Sequence, residues 1–486
     1  MASVGEHTAK LRETLGGAGY SDDEIGRLAP VLGGVLKVLE ASHEAAIYEI
    51  ELLRGEEPLP LPETDEADGE FAFVLYWLHN PPDDVQAVID GDERLSQLWP
   101  ALVEAAPLPA FTPEEFLGLC EEIEASDEVW VTSGGNIVSL KKYEMLDYRW
   151  LWALVNYIYT WLWDDKVKNI GTPDSSPIPL KANDNGKVRI AIIGDWGTGP
   201  YSVAGVQPAV DVMTTIKQLP EPVDYIIHLG DTYYCGTDAD RHPKGEELAN
   251  LLEPWKQYAP GLPAGRVFTL NSNHEMYDGA KGLFGVAYAD PLFGAQVSCS
   301  YFALTFGDWV IAGLDSAYYD PSWLYMKGGL GESSDPQYGF LDKVKGWGSK
   351  RILLSHHTGI KTKGTKPMPL WSQVTGKFTP DYWYWGHVHL GIIYGDGSYA
   401  GAQGVKARCI GHSAIPFGQP WGLENTASSI IEWYSQTPLE EAEDLSALPK
   451  KRYRATNGFA VLTLTKSDIS EAIYDAGNTT PVWTSR

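Results

Sequence analysis

Side chains of the kind that hold metal ions end five short segments: GDWG (Gly194 to Gly197), GDTYY (Gly230 to Tyr234), SNHE (Ser272 to Glu275), SHH (Ser355 to His357) and GHVH (Gly386 to His389). Each follows an apolar, β-branched or aromatic run of the kind that makes a buried strand: VRIAII, DYIIHL, RVFTL, RILL and YWYW. The polar residues therefore stand where strands end. In a layered α/β protein, loops converge on a site at the strand ends, so Asp, Asn and His from five segments form one cluster there. That composition suits a pair of metal ions. Two such ions repel each other, so the site needs a bridging anion and enough donors to hold both.

The order of the five segments resembles that of the calcineurin-like metallophosphoesterases, over roughly residues 186 to 480, and the first two motifs look most like the purple acid phosphatase branch. The resemblance implies an α/β fold, a β-sandwich with helices on both outer faces (αββα) and a dimetal site at the strand ends along one edge. It implies that one ion is held by Asp195, Asp231, Tyr234 and His389, and the other by Asp231, Asn273, His356 and His387, with Asp231 as the bridge. The ions expected are iron paired with iron, manganese or zinc. His274, beside the ligand Asn273, is then directed at the substrate, to stabilise phosphate oxygens or protonate the leaving group. The activity implied is hydrolysis of a phosphate mono- or diester by in-line attack of metal-bound hydroxide. The alternative, from another class, is a catalytically silent binding or regulatory protein that uses the helical region described below and keeps the phosphoesterase fold as a scaffold.

Two departures from the family pattern bear on the site. Gly197 stands where many members have a His ligand, and Tyr234, at the spacing Gly230-Asp231-x-x-Tyr234, can replace it, since a phenolate is a hard donor suited to Fe(III). The other reading of Tyr234 is a packed aromatic beside Tyr233. Ser272 stands where the pattern has Gly, and a positive φ there would strain the loop. Of the adjacent His356 and His357, the resemblance favours the first as ligand. His228, inside a strand-like run, reads as a hydrogen-bonded core residue, His412 as a residue bordering the cleft without ligating, and His242 as a solvated loop residue. Asp315 reads equally as a residue orienting a ligand His or as a cap.

The elements that must position these residues fill only part of the chain, and 486 residues point to two domains. Residues 1–170 read as an acidic, mostly helical domain, with Ser21 opening one helix and Thr112-Pro113-Glu114-Glu115 another. GTPDSSPIPLKANDNGK, residues 171–187, reads as a linker, and residues 188–486 as the domain carrying the five motifs. A net charge of −28 argues against gripping nucleic acid or anionic lipid through a basic face, while a small phosphate ester can still reach a locally cationic site. The aromatic run Trp150 to Trp163 is about 14 residues, too short for the roughly 20 that span a bilayer, so it reads as a core helix. Four scattered cysteines read as free thiols, and the first residues have no apolar core of signal-peptide length. Both point to the cytoplasm.

Overall fold

The computed structural model describes all residues except 57–68, 127–129, 131–136, 164, 174–175, 204, 419, 439–452 and 486. It divides into two compact units, Met1–Asp164 with Pro438–Arg452, and Asp165–Thr437 with Tyr453–Arg486. The first unit is helical, as its apolar periodicity requires. Its long helix Asp22–Leu53 starts at Ser21, which forms a capping box with Glu24, and Pro113–Ala125 starts at Thr112 with the same device through Glu115. The aromatic run continues as helix Leu151–Tyr157 and a π-helical turn Ile158–Leu162, and most of its side chains are buried. No helix among the described residues is long and apolar enough to cross a membrane.

The second unit is a two-sheet sandwich. One sheet has six strands: β2 (Val188–Ile193), β3 (Tyr225–His228) and β4 (Val267–Thr269) run parallel, and β14 (Gly458–Leu464), β15 (Ile469–Asp475) and β16 (Trp483–Thr484) continue it antiparallel from β2. The other has eight, in the order β1 (Ile178–Pro179), β5 (Phe302–Phe306), β6 (Trp309–Gly313), β7 (Lys350–Ser355), β8 (Tyr382–Trp385), β10 (Lys406–Ile410), β9 (Gly391–Tyr394) and β11 (Ile431–Tyr434). Its middle strands β6, β7, β8 and β10 are parallel neighbours. A short pair, β12 (Thr437–Pro438) and β13 (Tyr453–Arg454), lies apart from both.

The inner faces pool into one core, with Ile190, Ile192, Ile227 and Phe268 of the first sheet against Leu304, Ile311, Ile352 and Tyr384 of the second. Strands β2, β3 and β8 are buried at every position, which explains their nearly unbroken apolar sequences.

The expected linker is part of this unit. Ile178 and Pro179 pair with Leu304 and Thr305, Leu180 enters the core, and Gly171 packs on Cys299 too closely for a side chain. Residues 165–170 also belong here, so the division falls at 164/165 rather than at 170. Pro and Ser mark residues 171–187 as non-helical, but they do not prevent an edge strand from pairing.

Candidate metal centre

Every one of the five motifs leaves the carboxyl end of a parallel strand: Asp195 follows β2, Asp231 follows β3, Asn273 follows β4, His356 follows β7, and His387 and His389 follow β8. The chain turns sharply there. Asp195, Asp231, His387 and His389 all have left-handed backbones, with φ of 56, 82, 69 and 52°. Non-glycine residues in that region are strained, and such strain persists where the surroundings over-determine it. Gly230, at φ 105°, relieves the tightest point, since a Cβ there would lie 2.9 Å from the Ser272 Cβ and 3.0 Å from His356 Nδ1.

Donor atoms gather in two adjoining groups. Around His356 Nε2 stand Asn273 Oδ1 at 2.9 Å, His387 Nδ1 at 3.2 Å and Asp231 Oδ1 at 3.3 Å. Asp231 Oδ1 is buried without a hydrogen-bond partner, and carboxylate oxygens are rarely left so. The second group is Asp195, Asp231 and His389, whose ligand atoms lie within 4.8 Å of one another. Asp231 thus belongs to both.

The imidazoles are held by backbone carbonyls. His356 Nδ1 donates to the Leu229 carbonyl at 3.0 Å, which turns Nε2 inward, and His387 Nε2 donates to the Met326 carbonyl at 3.1 Å, which presents Nδ1. His356 and His387 also lie within metal-binding reach of His357. Both nitrogens of His357 are engaged, however, with Ser316 Oγ at 2.9 Å and the Tyr325 carbonyl at 2.7 Å, which leaves it bracing the site. Burial lowers the His387 pKa to about 3 and holds His356 well below the ordinary imidazole range. Burial opposes ionisation of Asp231, yet the facing imidazoles and Asp195 hold its carboxyl well below the usual value. Neutral imidazoles around an ionised carboxylate are the protonation states that ligate a cation, so the residues fit a metal pair.

Tyr233, the neighbour of the expected Tyr234, reaches the first group. Tyr233 Oη stands 3.0 Å from Asp231 Oδ2 and 2.9 Å from His389 Nε2. The Tyr234 N–H donates to Glu246 Oε1 at 2.7 Å, and its carbonyl accepts from His274 Nδ1 at 2.8 Å. The His274 hydrogen bond in turn fixes that ring, which packs 4.3 Å from Tyr233 and directs Nε2 away from the carbonyl.

Ser272 carries no strain. Its φ of −135° is extended, and it caps the helix Asn273–Tyr277 by accepting from the His274 N–H at 3.0 Å. Asp315 is a cap, accepting from the N–H groups of Ala317 and Tyr318, with Asn271 donating to its carboxylate. His228 is a buried, hydrogen-bonded core residue on Thr269 and the Trp196 N–H. His412 is buried, its ring nitrogens have no hydrogen-bond partner among the described residues, and His242 is exposed. The Met326 and Leu229 carbonyls were not legible, because no side-chain pattern encodes a backbone group, and neither was Glu246, whose carboxylate serves the backbone N–H groups of Tyr234 and Cys235.

The sequence profile of the calcineurin-like phosphoesterase family matches residues 188–391, the span from β2 to the start of β9 and all five motifs. Residues 188–391 are a calcineurin-like phosphoesterase domain. Among solved structures, purple acid phosphatase PPD1 from yellow lupin seeds is 14% identical with a TM-score of 0.40, over 64% of this chain and 55% of that one. This chain thus spans about half the length of the lupin enzyme. GAP50, the anchor in the inner membrane complex of Plasmodium, is 12% identical with a TM-score of 0.40, over 62% and 88% of the two chains. PhoD is 11% identical with a TM-score of 0.36, over 65% and 70%. No curated protein matches the chain.

Proposed function

We propose that the phosphoesterase domain is a dimetal hydrolase of phosphate mono- or diesters, with Asp231 shared between the ions. The observation that carries this reading is the convergence of Asp231, Asn273, His356 and His387 donor atoms within 3.3 Å of His356 Nε2, beside the second group of Asp195, Asp231 and His389. Asp195, Asp231 and His389 would hold the first ion, with the Tyr233 hydroxyl, in place of Tyr234, as its phenolic neighbour. Asn273, His356, His387 and the other oxygen of Asp231 would hold the second. A bound metal pair supplies an activated water and offsets the charge that develops on phosphorus.

The chain's own residues do the rest. Leu229 and Met326 carbonyls orient the two imidazoles, and His274, anchored on the Tyr234 carbonyl, offers Nε2 to a phosphate oxygen or to the leaving group. A catalytically silent scaffold is the competing reading, and the complete donor set weighs against it. The metal-reconstituted protein is assayed on aryl phosphate monoesters, aryl diesters and nucleotides, with metal content measured in parallel. The expected result is turnover with close to two ions per chain, and Asp231→Asn should lower both ions and abolish turnover. An inactive wild type holding its metals on every substrate class would support the scaffold instead.

A further inference from the structure

Among the described residues, the arginines of the second unit are, with one exception, matched to acceptors. Arg189 pairs with Glu221 at 3.3 Å, Arg241 with Asp165, Arg266 with Asp224 at 3.7 Å and Arg408 with Glu471 at 2.8 Å, while Arg351 donates to the Lys345 carbonyl at 3.3 Å. Arg454, on β13, is the exception. It is half-buried, and among the described residues its guanidinium donates to no acceptor. Its neighbour is the ring of Phe417, 4.1 Å from guanidinium carbon to centroid, and burial alone lowers its pKa. Leaving such a group unmatched is costly, and a chain with 65 acidic residues has many ways to avoid it.

Its position says what completes it. Phe417 belongs to the loop that leaves β10, at the edge of the sandwich where the metal-binding motifs converge. That loop touches the first group of ligands at both ends. A Cβ on Gly411 would lie 3.0 Å from Asp195 Oδ2, and Gly418 packs on the His389 carbonyl too closely for a side chain. The Ala455 N–H donates to the Gly418 carbonyl at 3.2 Å, so the strand carrying Arg454 is tied to the same loop. A planar guanidinium stacked on an aromatic ring keeps its donor edge for a phosphate or carboxylate.

We propose that Arg454 binds a second anionic group on the substrate, making the preferred ester one that carries a further phosphate besides the one hydrolysed. The proposal rests on the phosphoesterase reading above. Its test is a matched pair of substrates that differ by one phosphate, a nucleoside 5′-monophosphate and the corresponding 3′,5′-bisphosphate. The wild type should have the lower KM for the bisphosphate. Arg454→Gln should raise that KM about 10- to 100-fold, the effect of one charge-assisted contact, and leave kinetics on the monophosphate unchanged. Arg454→Lys should restore part of the preference. Equal effects on both substrates, or no effect on either, would overturn the assignment. Stimulation of monophosphate turnover by sulfate in the wild type alone would overturn it too, since the occupant would then be a free oxyanion. Calorimetric binding of pyrophosphate keeps the question separate from catalysis. Loss of that binding in Arg454→Gln supports the assignment even if no ester is turned over, whereas equal binding by wild type and Arg454→Gln overturns it.

Discussion

At the scale of single residues, the sharpest question is which tyrosine serves the first ion. Tyr233 and Tyr234 are chemically identical neighbours, and the hydroxyl 2.9 Å from His389 belongs to Tyr233. A phenolate on Fe(III) absorbs visible light by charge transfer, so oxidised, iron-loaded protein should be coloured. Tyr233→Phe should bleach it and Tyr234→Phe should not, which visible spectra at equal iron content decide. His43 permits an independent pH prediction in the helical unit. Its Nδ1 donates to the Ala72 carbonyl at 2.9 Å, its Nε2 accepts from the Ala110 N–H at 3.0 Å, and burial lowers its pKa from 6.5 to about 4. The folded state thus refuses a proton that the unfolded state accepts. Stability from this group is complete above about pH 6.5 and is lost as pH falls through 4. Thermal melts between pH 7 and 4.5 should show a steeper loss in wild type than in His43→Gln, whose side chain does not titrate.

At the scale of elements, the loop from Ser316 to Gly329 does more than connect strands. It supplies the Ser316 hydroxyl and Tyr325 carbonyl to His357 and the Met326 carbonyl to His387, and it holds Leu324 and Tyr325 at left-handed φ of 55 and 53°. Asp320 keeps that shape, accepting from the N–H groups of Ser322 at 2.8 Å, Lys327 at 3.0 Å and Gly328 at 2.7 Å. Asp320→Ala should release the Met326 carbonyl from His387. The expected cost is about 10- to 100-fold in affinity for the second ion, the range for losing a contact that orients a ligand. Metal titration followed by turnover measures it, and excess metal should restore much of the activity. An unchanged titration would show that the loop keeps its shape without this carboxylate.

At the scale of the whole molecule, the division at 164/165 leaves a short segment inside the second unit. Asp165 pairs with Arg241 and with Lys281 at 2.6 Å, Val167 N–H donates to the Gly279 carbonyl at 2.9 Å, and the Tyr318 hydroxyl donates to the Val167 carbonyl at 2.7 Å. These contacts reach the loops after Asn273 and after Asp315, both of which support the site. A fragment of residues 165–486 should therefore stay soluble and hydrolyse a small aryl phosphate. A fragment of residues 171–486 should melt lower, on the order of 5 °C, for want of those contacts. Equal melting temperatures would place the boundary nearer to residue 170.

The sequence by itself determined the strand-end placement of Asp195, Asp231, Asn273, His356, His387 and His389, because short apolar runs rich in β-branched and aromatic residues and bounded by turn residues read as buried strands, and the polar residues after them emerge at their ends. It also determined the capped helices of the first unit, whose signals are local. Tertiary structure decided what local chemistry leaves degenerate. Spacing could not say that residues 171–187 add an edge strand, since that does not depend on residue type. It also could not show Ser272 in an extended, capping conformation, or Arg454 without an acceptor among the described residues. Both follow from which backbone groups and charges the fold brings alongside, and those come from segments distant in the chain.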